Sequence, residues 1–359
     1  MTARGPLRGA AAATMALGLT LGLAVPASAE SAAGTVSDPI VSGLIGPLGL
    51  ALGPNGTIFV AEGFIGQLTR FNSEGGARKV LVSGGDSLNG VEVTFGGRAL
   101  YTLSIIPEEE EPPTDTTLNE VRPSGATTTI ASLLDHEVET NPDGDQTYGF
   151  VGLPAGCAAK LPPELLPYTG IVESNPYKVA VESFGSYLVA DAAGNSIVRV
   201  GRNGGTATVA ILPPVPQRIT FAGSRQLGLP LCTVGRNYLS EPVPTDVEIG
   251  PDGDFYVTSL PGGLELPGYG SVFRIDSDTR AVTRVATGLS GAVDLAVADD
   301  GTIYVAELFA NRISSISNGV VSTVVDVFTP GAVEIADDGT IYATVGVFAP
   351  AGDVVIVTP

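Results

Sequence analysis

Tryptophan is absent from this 359-residue chain, histidine occurs once, at His136, and cysteine only twice. Basic side chains are also scarce, 18 against 38 acidic ones. Each shortage closes off a class of function. One imidazole and two thiols cannot build a histidine-rich zinc site. A Ser-His-Asp triad would have to use His136, and no G-x-S-x-G elbow accompanies it. No glycine-rich phosphate loop follows a strand and opens a helix. A formal charge of −20 repels nucleic acid and anionic lipid. It favours cations or basic partners, or simply keeps the chain soluble. Without Trp, and with 12 Phe and 10 Tyr, the core must be mostly Val, Ile, Leu and Ala.

The long apolar run is confined to the start. Arg4 and Arg8 precede an uncharged stretch from Ala10 to Leu23, and Ala27-Ser28-Ala29 supplies a small-x-small cleavage site. This reads as a signal peptide over residues 1–29, cut after Ala29. No later stretch approaches the roughly 18 apolar residues of a membrane span. The expected mature chain, residues 30–359, is therefore secreted to the extracellular side. It is a single domain and a monomer, carrying a formal charge of −22. In that oxidising compartment Cys157 and Cys232 are expected to form a disulfide, the alternative being two buried thiols.

Six times a short apolar strand enters a Gly-centred turn and leaves as an aromatic-bearing strand. The copies are GLALGPNGTIFVAEG from Gly49, GVEVTFGGRALYTLS from Gly90, KVAVESFGSYLVADA from Lys178, DVEIGPDGDFYVTSL from Asp246, DLAVADDGTIYVAEL from Asp294 and AVEIADDGTIYATVG from Ala332. A third strand follows each copy, and a fourth follows five of them. A strand-only unit of roughly 40 residues is the signature of a β-propeller blade. The expected fold is all-β, a six-bladed β-propeller whose last blade is completed by Pro39 to Leu44. Pairing the two chain ends removes an open edge. The turn glycines supply positive φ, and the Asp or Asn before them supports the turn by local hydrogen bonds, without calling on a metal.

Loop length is unequal. The insertions Ile105 to Asp115, with Glu108 to Glu111 at its tip, Asp135 to Ser174, Pro213 to Val243 and Leu260 to Gly270 all leave the same face. Residues 135–174 and 213–243 are expected to form a cap of ordered loops that holds both cysteines. Loops on a rigid scaffold are where function usually sits, and a plain shield for blade edges is the alternative. His136 is expected in a loop of that cap, and Asn141-Pro142-Asp143-Gly144-Asp145 in a turn rather than an EF-hand, whose distant glutamate is missing.

Strand alternation assigns the innermost side chains. Leu52, Val93, Val181, Ile249, Val297 and Ile335, with partners two residues earlier, pack between blades. The intervening register, Ala51, Glu92, Ala180, Glu248, Ala296 and Glu334, is expected to face the central channel. One layer nearer the capped face lie Gly49, Gly90, Lys178, Asp246, Asp294 and Ala332. Five acids and one lysine thus converge, either as hydrated lining partly paired to Lys178 or as oxygen ligands of calcium or magnesium. Asn89 could add a neutral oxygen. Glu62, Ser104, Asp191, Ser259 and Glu307 form a candidate ligand-binding ring at the ends of the second strands, with Asp191 alternatively closing a turn with Asn195.

The stretches NPYKVAVE from Asn175, YLVADAAGNSIVRV from Tyr187, VPTDVEIGPDGDFYVTSL from Val243 and GAVDLAVADDGTIYVAEL from Gly291 resemble the ScyD/ScyE family of secreted or periplasmic propeller proteins. The resemblance spans about Asp38 to Pro359, and PGGLELPGYGSVFRID fits it loosely. It implies a six-bladed propeller related to NHL-repeat and gluconolactonase-like folds, and carries no catalytic residue set. Two functions are expected on these grounds. One is non-catalytic binding of a small molecule or extracellular protein on the capped face. The other is a metal-dependent lactonase or hydrolase using Asp246, Glu248, Asp294 and Glu334.

Overall fold

The computed structural model describes residues 34–84, 87–106 and 112–359. The expected leader and cleavage site, and the acidic stretch Glu108 to Glu111, lie outside the described residues. The chain is all-β, built from four-stranded antiparallel sheets as in a β-propeller. The first sheet runs Pro47–Gly53, Thr57–Glu62, Gln67–Phe71 and Lys79–Val82 in chain order. The same order recurs in the sheets that begin at Val91–Val93, Pro176–Ser183, Pro244–Ile249 and Ala292–Val297. The sixth sheet has three consecutive strands, Ala332–Ile335, Ile341–Val345 and Gly352–Thr358. Its outer position is taken by Val41–Leu44, with Val41 opposite Val354, and by Thr35–Val36, with Thr35 opposite Thr358.

The six strand-to-strand turns obey the expected chemistry. Gly56, Gly97, Gly185, Gly253, Gly301 and Gly339 all have φ between 68° and 84°, where a side chain would be strained. In the last two repeats the preceding aspartate closes the turn, Asp300 accepting from Thr302 N and Asp338 from Thr340 N, each at 2.9 Å.

Apolar clusters glue each sheet to the next. Ala51, Phe59 and Ala61 pack on Val91, Ala99 and Tyr101, and Ala180, Leu188 and Ala190 pack on Val247, Phe255 and Val257. A further cluster joins Leu50, Ile58 and Val60 of the first sheet to Ala332 and Val354 of the sixth. Thr344 Oγ1 donates to Pro47 O across the same boundary at 2.8 Å, 297 residues apart in sequence. These clusters correct one expectation. Ala51, Ala180 and Ala296 are 0, 2 and 5 % exposed and belong to the seams between sheets, not to a water-lined channel. Adjacent sheets approach most closely near their inner strands, so that register tolerates only a small side chain or one long enough to bend away.

The insertions are more regular than loops. Residues 147–150, 168–169, 215–218 and 237–240 form a further four-stranded sheet, with Thr147–Phe150 and Asn237–Ser240 at its centre. Its core is Phe150, Leu161, Ile219, Tyr238 and Leu264. The expected disulfide is present, Cys157 to Cys232 with Cα atoms 5.9 Å apart, and it links the helix Ala155–Ala158 to the turn Leu231–Thr233. The helix Leu133–Thr140, here α1, opens the first insertion, capped by Ser132 Oγ accepting from Asp135 N at 3.0 Å. His136 lies on α1 rather than in a loop, because the Ser132 cap and Leu133 start a helix against Thr208, whose hydroxyl is 2.9 Å from His136 Nε2.

Candidate functional site

The inner strands bring Glu92, Glu248 and Glu334 together, with one carboxylate oxygen of each within 4.8 Å of the others. They come from the second, fourth and sixth sheets, so the three converge from alternate sides. Among the described residues no ion pair reaches any of them. Each is half-buried. Enclosure by protein raises all three acids above the ordinary carboxyl range. Burial pushes Glu92 up to about 7, and burial joined by neighbouring acids holds Glu248 and Glu334 well above the ordinary carboxyl range.

The layer beside them behaves differently. Lys178, Asp246 and Asp294 are buried, at 3, 3 and 5 % exposure, and their polar atoms are engaged. Asp246 accepts from Val247 N and from Leu295 N, both at 2.8 Å, the second bond reaching the next sheet. Asp294 accepts from Val333 N at 2.9 Å, again on the next sheet, and its other oxygen pairs with the Lys178 ammonium. Burial opposes the Lys178 charge, but Asp294 and Asp246 outweigh it and raise its pKa. The equivalent positions Gly49 and Gly90 have no room for a side chain, since a Cβ would lie 2.5 Å from Asn89 O and from Tyr177 O respectively. The hydroxyl of Tyr177 is buried beside Lys178, Asp294 and Asp246 without a hydrogen-bond partner. Asp246 and Asp294 therefore act as clamps between sheets, and the three glutamates keep free oxygens. Exposure grows from the clamp layer towards the glycine turns, so water meets the glutamates from the face opposite the insertions.

The side chains of the candidate ring at the ends of the second strands are engaged within the protein. Glu62 is fully buried and accepts from Ile45 N, Gln67 Nε2, Thr69 Oγ1 and Arg78. Glu307 repeats the pattern with Ser290 N, Arg312 and Ser314. Asp191 accepts from Ser174 Oγ, Asn175 N and Gly194 N, the turn-closing role. Ser104 donates to Asn175 Oδ1 and Ser259 to Pro242 O, while Asn89 donates to Ser87 Oγ. These side chains fasten each sheet to the loop that enters it. The sequence signal for that role was present: Glu62 and Glu307 are followed at the same spacing by Gln67 and Thr69, and by Arg312 and Ser314.

Sequence reasoning missed a recess of about 300 Å³ on the inserted face, lined by Leu260, Pro261, Glu265, Leu266, Pro267 and Phe309 among others. Burial raises the pKa of Glu265. Its signal in the sequence was the Pro- and Leu-rich stretch from Leu260 to Pro267.

No protein-family model and no curated protein matches the chain. Solved structures do. The PQQ-bound aldose sugar dehydrogenase of Streptomyces coelicolor superposes with a TM-score of 0.57 at 12 % identity, covering 92 % of this chain and 100 % of that one. A gluconolactonase from Xanthomonas campestris gives 0.54 at 11 % identity, covering 89 % of each chain. Virginiamycin B lyase from Staphylococcus aureus gives 0.52 at 12 % identity, covering 91 % of this chain and 99 % of that one. At such identities the likeness is one of architecture, and it is to propellers that this chain is similar.

Proposed function

We propose that the protein is an exported six-bladed propeller of the ScyD/ScyE kind, its ring completed by the N-terminal strand, that works by binding rather than catalysis. Glu92, Glu248 and Glu334 hold a divalent cation of the calcium or magnesium class. The observation that carries this reading is the convergence of three carboxylates that, among the described residues, no ion pair reaches. Three like charges in a confined space either take up protons or recruit a cation, and an all-oxygen set suits a hard ion. A ligand or extracellular partner is taken on the inserted face, where the recess beside Leu266 and Phe309 offers apolar contact and Glu265 a polar one.

The test is thermal unfolding of the metal-stripped mature protein at pH 8, with and without millimolar calcium. A native-state ligand raises the midpoint. The midpoint should rise with calcium, and Glu334→Gln should shrink that rise. No rise, or the same rise in the variant, would reject the axial site.

A second reading is a metal-dependent lactonase or hydrolase. The half-buried glutamates favour it, since a bound cation would keep positions for water and a substrate carbonyl, polarising one and activating the other. The site would then be entered from the glycine-turn face. Calcium-dependent turnover of a lactone or ester panel, abolished by Glu248→Gln, would establish it; no turnover on any member leaves binding as the function.

A further inference from the structure

Two of the six glycine turns break the polar pattern of the others. Four of them carry Pro54-Asn55, Pro251-Asp252, Asp299-Asp300 or Asp337-Asp338 ahead of the glycine. The turns of the second and third sheets carry Phe95 and Phe184 instead. These rings are 95 and 89 % exposed, more than any other large apolar side chain among the described residues. A single exposed Phe needs no explanation, but two on neighbouring turns do. Both line one recess of about 150 Å³ in the seam between the two sheets, on the face opposite the insertions. Tyr187, Arg98, Glu120 and Arg202 line it too. Among the described residues neither Phe packs on another aromatic ring, and the Arg202 guanidinium lies 5.4 Å from the Phe184 centroid.

The recess runs against the charge of the molecule. The chain carries −20 overall, yet here arginines outnumber acids. Arg98 Nη1 donates to both oxygens of Glu120, at 3.0 and 3.1 Å, and Arg122 stands 3.9 Å from the same carboxylate. Arg202 is exposed, and among the described residues no carboxylate pairs with it. Its backbone N donates to Gly185 O at 2.8 Å, which fixes it beside the Phe184 turn. The charges of Glu120, Arg202 and Arg98 all reach the Tyr187 hydroxyl, so they surround one point of the lining. Each feature selects part of a ligand. An apolar cavity of this size takes up a benzene-sized ring, and aromatic faces and edges hold such a ring in offset or edge-on contact. A guanidinium without a carboxylate partner binds a planar anion through two parallel hydrogen bonds.

We propose that the seam between the second and third sheets binds a six-membered ring bearing a carboxylate, the ring held by Phe95 and Phe184 and the carboxylate by Arg202. The site is separate from the recess beside Phe309 and from the axial glutamates, and stands or falls without them.

Two sources share that chemistry, an aromatic acid and a uronic acid unit of an acidic glycan. Saturation-transfer NMR on residues 30–359 can tell them apart, with benzoate and trigalacturonate as probes and benzyl alcohol and a neutral galactose trimer as controls. A chelator is present, so that no axial ion can take the carboxylate instead. At least one anion should bind at millimolar concentration, more tightly than its neutral counterpart, and which one binds identifies the source. Phe95→Ser with Phe184→Ser should weaken it about tenfold, as the loss of two ring contacts does. Arg202→Gln should abolish the preference for the anion while the neutral control binds as before. All three positions are exposed, so the variants should melt with the unaltered protein. Binding of neither anion, equal binding of anion and neutral control, or unchanged affinity in the double Phe variant would overturn the proposal.

Discussion

A carboxyl group that keeps its proton on folding makes stability fall as pH rises, and the axial acids are of this kind. Burial moves Glu92 from 4.5 to about 7. Burial, with the Asp294 charge, moves Asp246 from 3.8 to about 8. Between the unfolded and folded values the native chain holds more protons than the unfolded one, so its unfolding free energy declines across that window and levels off above it. His136, pushed down from 6.5 by burial, works the other way, but it is one group against several. The metal-stripped protein should therefore melt at a lower temperature at pH 8 than at pH 5, and calcium should restore the loss. A midpoint that climbs from pH 5 to pH 8 without metal would refute this. Glu334→Gln removes like-charge repulsion and should leave the metal-free protein at least as stable at pH 8. Glu307→Ala should do the opposite. It strands Ser290 N, Ser314 and the half-buried Arg312 in one step, at a cost of about 3 kcal/mol in urea unfolding.

At the scale of elements, what repeats was legible and what pairs at a distance was not. The strand–turn–strand units were readable because glycine, aspartate and alternation act within fifteen residues. The same alternation brought Glu92, Glu248 and Glu334 to one point, but it could not tell free acids from engaged ones. Asp246 and Asp294 lie one layer away on the same strand face, and only the backbone of the next sheet reveals them as clamps. The alanines that alternate with the glutamates are packed in the seams between sheets. The sheet built from the insertions was invisible for another reason. Tyr168–Thr169 is two residues long, and Phe150 faces Tyr238 from a different insertion, so no local period announces it. Its stability should depend on the disulfide, which closes a separation of 75 residues and is worth about 4 kcal/mol on the chain-entropy model. Replacing Cys157 and Cys232 by serine should make the segments 147–169 and 215–240 susceptible to protease first, while the six-sheet body melts later. Equal protection of the insertions in the variant would show that their core, around Phe150 and Tyr238, suffices alone.

At the scale of the molecule, Thr35–Val36 and Val41–Leu44 share one sheet with Gly352–Thr358, and Leu50, Ile58 and Val60 pack on Ala332 and Val354. Removing residues up to Leu44 strips the outer strand from Gly352–Thr358 and leaves an exposed edge, an aggregation hazard. The truncated protein should lose cooperative unfolding and form soluble oligomers in light scattering. A monomeric product with an unchanged melt would show that the N-terminal strand is dispensable. The clamps and the seams hold the inner strands in a fixed arrangement, and that arrangement confines three glutamates to a few ångströms. The most direct test of this is a crystal of residues 30–359 grown with terbium, with anomalous data collected at the metal edge. The account predicts an anomalous peak among the carboxylates of Glu92, Glu248 and Glu334. Density for water alone at that point, in crystals where terbium is bound elsewhere, would contradict it.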